Sequence, residues 1–145
     1  RRSAVARKRV RTVDRGSAPK YAHVAESFLE SAGALATLAG AEEGYGNAIA
    51  LLSTHAVIAW ADAVSIRHAE QKAADGDHEQ AAAVLRDSVR NLLTSAAEKA
   101  LRGVLAEKDA IAYQGRFYPL EQGIKVLVQA TKFARWAREV YEKGA

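Results

Sequence analysis

The sequence predicts an all-α protein, an antiparallel bundle of about five helices preceded by a basic N-terminal arm. Three observations predict it. Residues 47–66 are apolar on nearly every face, the flanking segments carry apolar residues at helical spacing, and no run beyond the arm alternates polar with apolar residues. A helix without a polar face is a buried helix. We therefore expect residues 47–66 to form a central helix with amphipathic helices packed around it.

The first 20 residues form the basic arm, and residues 21–145 form the bundle. The arm holds eight basic residues and one acidic residue, whereas the bundle holds 13 basic and 16 acidic residues. Clustered cations attract polyanions through counterion release, so the arm is either a nucleic-acid-binding segment or a solvated tail. If it is ordered, its own bundle or a second subunit must hold it. The arm residues predicted to bind nucleic acid are Arg1, Arg2, Arg7, Lys8, Arg9, Arg11 and Arg15.

Composition excludes several kinds of site. Cysteine is absent, which excludes disulfides, a thiolate nucleophile and cysteine-ligated metal, and favours a cytoplasmic location. The four histidines show no metal-binding spacing, and phosphate-loop and nucleophile-elbow motifs are absent, so no metal or cofactor is expected. The central segment is about as long as a membrane span, but His55 and Asp62 within it favour a core helix, with no membrane partner.

The first two helices follow from apolar spacing and from glycine. Helix one should run from about Pro19 to Ala39, with Gly40 as its stop. The central helix should continue as far as Lys72, where the chain turns polar. The stripe that helix one should turn towards the core is Tyr21, Val24, Phe28, Leu35 and Leu38.

Capping boxes place the next two helices. Asp77, with Gln80 three residues later, predicts an N-cap for a third helix over 78–92. Ser95, with Glu98 three residues later, predicts the N-cap of the fourth.

The remaining bounds follow from proline and glycine. The fourth helix should span 96–113, before a loop at 114–118. Pro119 suits the first turn of a fifth helix that should reach about Lys143. Its inward residues should be Ile124, Leu127, Ala130, Phe133, Ala134, Ala137, Val140 and Tyr141.

Four residues are candidates for chemistry. His55 and Asp62 lie on one face of the central helix, about two turns apart. They either bond to groups of another helix or symmetry mate, or they line a polar pocket in which Asp62 acts as acid or base. Lys108 lies at the edge of the fourth helix's apolar stripe and Tyr113 ends that helix. The simpler interpretation of both is that each packs its apolar part over the core.

Several segments together resemble HEPN-domain proteins, which are small helical bundles. The resemblance covers about residues 21–142 and rests on four stretches of sequence: Asn47 to Ala63, Gly76 to Ala81, Lys108 to Tyr113, and Phe133 to Arg138. It implies a homodimer whose last helices enclose a shared cleft. Many HEPN-like domains are metal-independent ribonucleases, often the toxin of a toxin–antitoxin pair, and others bind RNA or nucleotides without catalysis.

The ribonuclease form of the family carries Arg, four to six residues, then His. Here Lys108 and Tyr113 stand at the corresponding place. The unperturbed pKa of tyrosine is about 10 against about 6.5 for histidine, which makes it a poor general base near neutral pH. The resemblance therefore favours a module that binds RNA or a nucleotide without cleaving it. An altered ribonuclease with a cognate protein partner, and a structural oligomerisation module, are the alternatives.

The resemblance implies a cleft, for which the sequence offers candidate residues. Asp62, Lys108 and Tyr113 are the candidates for catalysis. Further cleft candidates are His55, His78 and Arg116, although a histidine that follows an N-cap, as His78 does, is commonly a capping or surface residue.

Overall fold

Five α-helices and one small antiparallel sheet make up the part of the chain that the computed structural model describes, residues 10–39, 43–74, 80–112 and 114–144. This confirms the predicted all-α helical bundle. The elements in chain order are β1 (Val10–Thr12), α1 (Ala18–Ala39), α2 (Gly46–Ala69), β2 (Gln71–Ala73), α3 (Ala81–Val89), α4 (Ser95–Ala112) and α5 (Leu120–Glu142). Short 3-10 turns precede α1 and α2 and follow α3.

The central helix α2 is buried as its apolar faces predict. Sixteen of its 24 residues are buried, including the hydroxyl-bearing Ser53 and Thr54. Thr54 Oγ1 donates to the carbonyl of Ala50 at 2.9 Å, so this buried hydroxyl is satisfied within the helix. By length and hydropathy α2 could cross a membrane, but 83% of its most apolar window is covered by the rest of the protein.

Helices α2 and α5 run parallel and are joined at both ends. At their N-termini, Gly46 and Gly123 approach so closely that a Cβ on either would overlap backbone atoms of the other segment. At their C-termini, Arg67 Nε donates to the carbonyl of Tyr141 at 2.8 Å, and His68 Nε2 lies 2.8 Å from the carbonyl oxygen of Val140. The last turn of α5 therefore receives side-chain partners for its carbonyls. Consecutive long helices run antiparallel, as expected.

Helix α1 turns a different face to the core than predicted. Its buried residues are Ala18, Ala25, Leu29, Ala32 and Ala39. Val24 is 43% exposed and Leu38 is 81% exposed, so the predicted stripe was wrong at these two positions. The alanines recur every seven residues and allow α1 to lie close against α2. The larger side chains are displaced to the edges of that contact.

The predicted extension of α2 to Lys72 was wrong. The helix ends at Ala69, and Glu70 takes a left-handed conformation with φ 54° that turns the chain into β2. Strand β2 pairs antiparallel with β1, with Arg11 opposite Lys72. Lys72 is 5% exposed, and the ion pair described below accounts for its burial. The polarity of Lys72 predicts a position outside the core, but its charge is paired with the buried Asp62.

Residues 13–15 of the arm are held by the protein's own bundle. The Val13 amide donates to the carbonyl of Glu70 at 3.0 Å, and Arg15 Nε donates to the carbonyl of Arg67 at 2.7 Å. An ion pair of 3.7 Å joins Arg15 to Glu70. Because α1 begins at Ala18, these contacts lead directly into the first helix. Residues 1–9 lie outside the described part of the chain.

The fourth helix has a different cap from the one predicted. Thr94 is the N-cap, because its Oγ1 accepts a hydrogen bond from the Ala97 amide at 3.1 Å. Ser95 is already the first helical residue, and Glu98 instead bonds to Arg86 and to Arg102. The third α-helix covers only Ala81–Val89, followed by a 3-10 turn to Leu92. Its predicted cap at Asp77 falls outside the described residues.

Candidate binding pocket between the first two helices

A pocket of about 280 Å³ lies between α1 and α2. Its walls are predominantly apolar because α1 contributes the large side chains that the alanine contact displaces from the core. The lining residues from α1 are Lys20, Tyr21, Val24 and Phe28, and those from α2 are His55, Ile58, Ala59 and Asp62. The spacing on each helix places its residues on one face over about two turns.

Aromatic rings and one lysine belong to the pocket lining. The rings of Phe28 and His55 are 5.5 Å apart between centroids and inclined by 35°. Lys20 Nζ lies 5.9 Å from the centroid of the Tyr21 ring, a cation–π distance. The pocket lining therefore combines aromatic surface with a positive charge.

The His55 side chain is held towards its neutral form. Partial burial lowers the pKa of His55 below its usual 6.5, and the nearby charge of Lys108 lowers it further. A neutral imidazole has one donor and one acceptor nitrogen. At neutral pH, His55 can therefore exchange a hydrogen bond with a ligand without adding charge to the pocket.

Asp62 forms a buried ion pair at the inner side of the pocket. Its Oδ2 lies 3.7 Å from Lys72 Nζ, and the two residues are 7% and 5% exposed. Lys72 Nζ also donates to the carbonyl of Ala73 at 3.0 Å. A carboxylate this far from water requires an opposite charge, and β2 supplies it. The structure thus gives Asp62 a tertiary partner and a place in the pocket lining at once.

The predicted candidates are only partly brought together. His55 and Asp62 line one pocket, whereas Lys108 is not among its lining residues and only its charge affects the pKa of His55. Tyr113 and His78 fall outside the described residues.

Arg116 lies elsewhere, in the loop before α5. Asn47 Nδ2 donates to its carbonyl at 2.7 Å, and Asn47 Oδ1 accepts from the Tyr118 amide at 2.8 Å. The Arg116 guanidinium stacks 5.4 Å from the Tyr118 ring centroid. These contacts attach the loop to the N-terminus of α2, and Arg116 is not among the residues that line the pocket.

Of the arm residues predicted to bind nucleic acid, Arg11 and Arg15 lie in the described part of the chain. Arg15 is committed to Glu70 and the end of α2, while Arg11 lies on the exposed strand β1. Arg1, Arg2, Arg7, Lys8 and Arg9 lie outside the described part.

Sequence reasoning missed the α1 side of the pocket. It assigned Tyr21 and Phe28 to the core and did not single out Lys20. The seven-residue spacing of Ala18, Ala25 and Ala32 was the available signal. Small residues at that interval predict the close-contact face, which leaves the larger neighbours at its margin.

Among the described residues, no group of three metal-ligating side chains converges. No family model matches this chain, and no curated protein or solved structure compared with it does either.

Proposed function

We propose that this chain is a HEPN-like dimeric module that binds single-stranded RNA or a nucleotide in the α1–α2 pocket without cleaving it. The observation that supports the proposal is a small, mainly apolar pocket whose lining includes aromatic rings and Lys20. Its volume of about 280 Å³ is close to the lower end of small-molecule sites, about 300–1,000 Å³. That is suitable for one nucleobase rather than a folded partner.

The ring arrangement supports a base as the ligand. Proteins that bind single strands stack bases on aromatic side chains, and each such stack is worth about 1–3 kcal/mol. Tyr21 and Phe28 supply rings on the α1 wall, and His55 adds a neutral ring on the α2 wall. Ile58 and Ala59 supply apolar surface between the polar ends.

The positive charges near the pocket support binding of a phosphate attached to the base's ribose. Lys20 is exposed and belongs to the pocket lining, and Lys108 on α4 is near enough to His55 for its charge to lower the pKa of that imidazole. Cations flanking a stacking surface are the common arrangement of single-strand binders. The arm adds further positive charge, which would raise affinity without sequence preference.

The non-catalytic half of the proposal rests on the sequence. In the resemblance, Lys108 and Tyr113 occupy the place of the arginine and histidine that cleave RNA. Dimerisation rests on the same resemblance, and sedimentation velocity of the full chain tests it separately: a monomer at all concentrations would contradict it.

The binding test is fluorescence anisotropy of labelled single-stranded RNA across a potassium chloride series. Lys20→Glu should weaken binding and reduce the salt slope by about 0.7, the value for one lost phosphate contact on a single strand. Lys132→Glu is the matched control, because it makes the same charge change on the exposed side of α5. A deletion ending at residue 9 removes five basic residues and retains β1.

Two results would contradict the proposal. Failure of the full chain to bind RNA or mononucleotides at low salt would remove the binding function. Cleavage of the RNA by the pure protein in EDTA would instead establish the ribonuclease alternative. In that case Lys108→Ala should abolish the cleavage.

A further inference from the structure

The side of α1 that faces away from the core is largely apolar. Leu38 is 81% exposed and Val24 is 43% exposed. They are the two ends of a set of exposed or half-buried residues that recur at intervals of three and four, which places the set on one side of the helix over about 21 Å. We name this set the α1 stripe. Its members are Val24, Ser27, Ser31, Ala34 and Leu38, with Phe28 and Leu35 along one edge.

We infer that two copies of this chain associate through the α1 stripe, with their α1 helices antiparallel and a two-fold axis at Ser31. This interface gives a location to the dimer of the proposed function, and it differs from the last-helix pairing that the resemblance implies. It depends on the exposed residues of α1 and does not require RNA to bind.

The charges around the stripe favour self-association. In a symmetric pair, a charge near the axis would face a like charge on the other copy. Between Val24 and Leu38 the only charged residues are Glu26 and Glu30. Glu26 Oε1 accepts a hydrogen bond from Arg138 Nη2 at 2.9 Å. Hydrogen bonding to Glu26 is the main cause of the raised pKa of Arg138, and the charge of Glu30 contributes. Both acids therefore lie towards α5, and the stripe itself is uncharged.

The order of large and small side chains makes the stripe complementary to itself. In an antiparallel pair centred on Ser31, residues equally far from Ser31 in sequence lie at the same level. Phe28 then lies opposite the partner's Ala34, because each is three residues from Ser31. Leu35 lies opposite the partner's Ser27, because each is four residues away. Each bulky side chain thus meets a small one, which allows two helices to pack closely.

The ends of the stripe cover its most exposed residue. Leu38 is the most exposed large apolar residue in the described part of the chain. It lies seven residues after Ser31, and Val24 lies seven residues before it, so Leu38 meets the partner's Val24. Burial of an exposed leucine is favourable, and the symmetric pair buries two. Since Val24 also lines the α1–α2 pocket, each copy places a leucine beside the other copy's pocket.

The N-terminal arm is a poor cover for the same surface. Residues 1–9 include five basic residues. Burying those charges against an uncharged, largely apolar stripe would remove their hydration without supplying partners. A second copy of α1 supplies apolar side chains instead. The serine hydroxyls that it would cover have acceptors within their own helix, since serine in a helix bonds to the carbonyl four residues earlier.

The first test is sedimentation velocity of the full chain over a concentration series. Leu38→Glu should weaken the dimer at least about hundredfold, because each dimer loses two buried leucines and gains two carboxylates in an apolar interface. Thr37→Glu is the matched control, because it adds the same charge at an exposed neighbour that lies about 100° around the helix. It should leave self-association unchanged. Circular dichroism establishes that both variants are folded.

The second test uses the absence of cysteine to determine how the helices pair. Ser31→Cys should form an intermolecular disulfide on mild oxidation, because the two copies of residue 31 meet at the axis and a disulfide needs Cα atoms within about 7 Å. Ser27→Cys alone should not, since its two copies would lie about 12 Å apart along the helix. Ser27→Cys mixed with Leu35→Cys should form the mixed disulfide.

The possible failures are distinguishable. A monomer at all concentrations overturns the inference and the dimeric part of the proposed function, whereas RNA binding is judged by anisotropy. A dimer that Leu38→Glu does not weaken overturns the inference and leaves the proposed dimer standing at another surface. Disulfide formation by Ser27→Cys as readily as by Ser31→Cys would show parallel helices and overturn the antiparallel arrangement. Loss of the dimer on deletion of residues 1–9 would assign association to the arm and overturn the inference.

Discussion

The ammonium of Lys72 lies 3.7 Å from the carboxylate of Asp62, and both residues are almost wholly buried. Asp62 comes from the C-terminal third of the central helix, and Lys72 comes from a three-residue strand that begins two positions after the helix ends. The reversal at Glu70 brings them together. The pair thus attaches the small sheet to the inner side of the candidate pocket.

Removing one member of this pair should destabilise the fold strongly. Lys72→Met leaves the Asp62 charge without its ammonium partner, and such changes commonly cost about 3–5 kcal/mol. Urea unfolding followed by circular dichroism measures the free energy. The double variant Asp62→Asn with Lys72→Met should recover most of the loss, because it removes both charges. Equal destabilisation by single and double variants would show that the charge pairing is not the source.

Gly46 should not tolerate even a methyl group. A Cβ there would overlap the carbonyl oxygens of Tyr118 and Pro119, which belong to the backbone and cannot move aside as a side chain would. Overpacking of this kind typically costs about 1–3 kcal/mol. Gly46→Ala should therefore lower the free energy of unfolding by at least that amount.

Gly103→Ala is the control for Gly46→Ala. Gly103 is exposed within α4, and nothing lies within 4 Å of a Cβ placed on it. Alanine is a better helix former than glycine by about 1 kcal/mol, so this variant should be more stable than the wild type. If both substitutions changed the free energy of unfolding in the same direction, the close contact at Gly46 would be contradicted.

The pKa of His55 should rise when Lys108 loses its charge. Burial is the larger cause of the lowered pKa and Lys108 the second, so Lys108→Met should move the titration part of the way back towards 6.5. NMR titration of the imidazole proton, assigned with His55→Gln, measures it. Lys99→Met, on the same helix and about two and a half turns away, should leave the His55 titration unchanged.

The same shift makes stability depend on pH. Because the folded pKa of His55 lies below its unfolded value of 6.5, the unfolded state binds more protons between the two values. The His55 contribution is therefore present above pH 6.5 and is lost as the pH falls through the folded pKa. The difference in unfolding free energy between wild type and His55→Gln should shrink towards acidic pH; a difference constant from pH 7.5 to about pH 5 would refute this.

The N-cap of α4 can be located by a pair of alanine variants. Thr94→Ala should cost about 1 kcal/mol, because it removes the hydroxyl that accepts from the Ala97 amide. Ser95→Ala should change stability little, since Ser95 lies inside the helix and is exposed. Thermal unfolding of the two variants side by side measures the contrast. A larger loss of stability in Ser95→Ala than in Thr94→Ala would indicate that Ser95 is the N-cap.

The local pattern of side chains was sufficient to place most helices. Residues 47–66 are apolar on nearly every face, and the apolar spacing of residues 120–142 places Ala130, Phe133, Ala134 and Ala137 in the core, as observed. Helix boundaries near Ala39 and Pro119 follow from glycine and proline, whose effects on the backbone are local.

The pocket and the pairs of residues that contact each other around it became evident only from the tertiary structure. The Asp62–Lys72 pair, the strand pairing of Arg11 with Lys72, and the choice of the alanine face of α1 depend on which segments meet in space. The spacing of apolar residues predicts which side chains avoid water. It does not predict how closely the neighbouring helix approaches them. Because α1 contacts α2 through alanines, Tyr21 and Phe28 lie at the margin of that contact, where they line the pocket between the two helices.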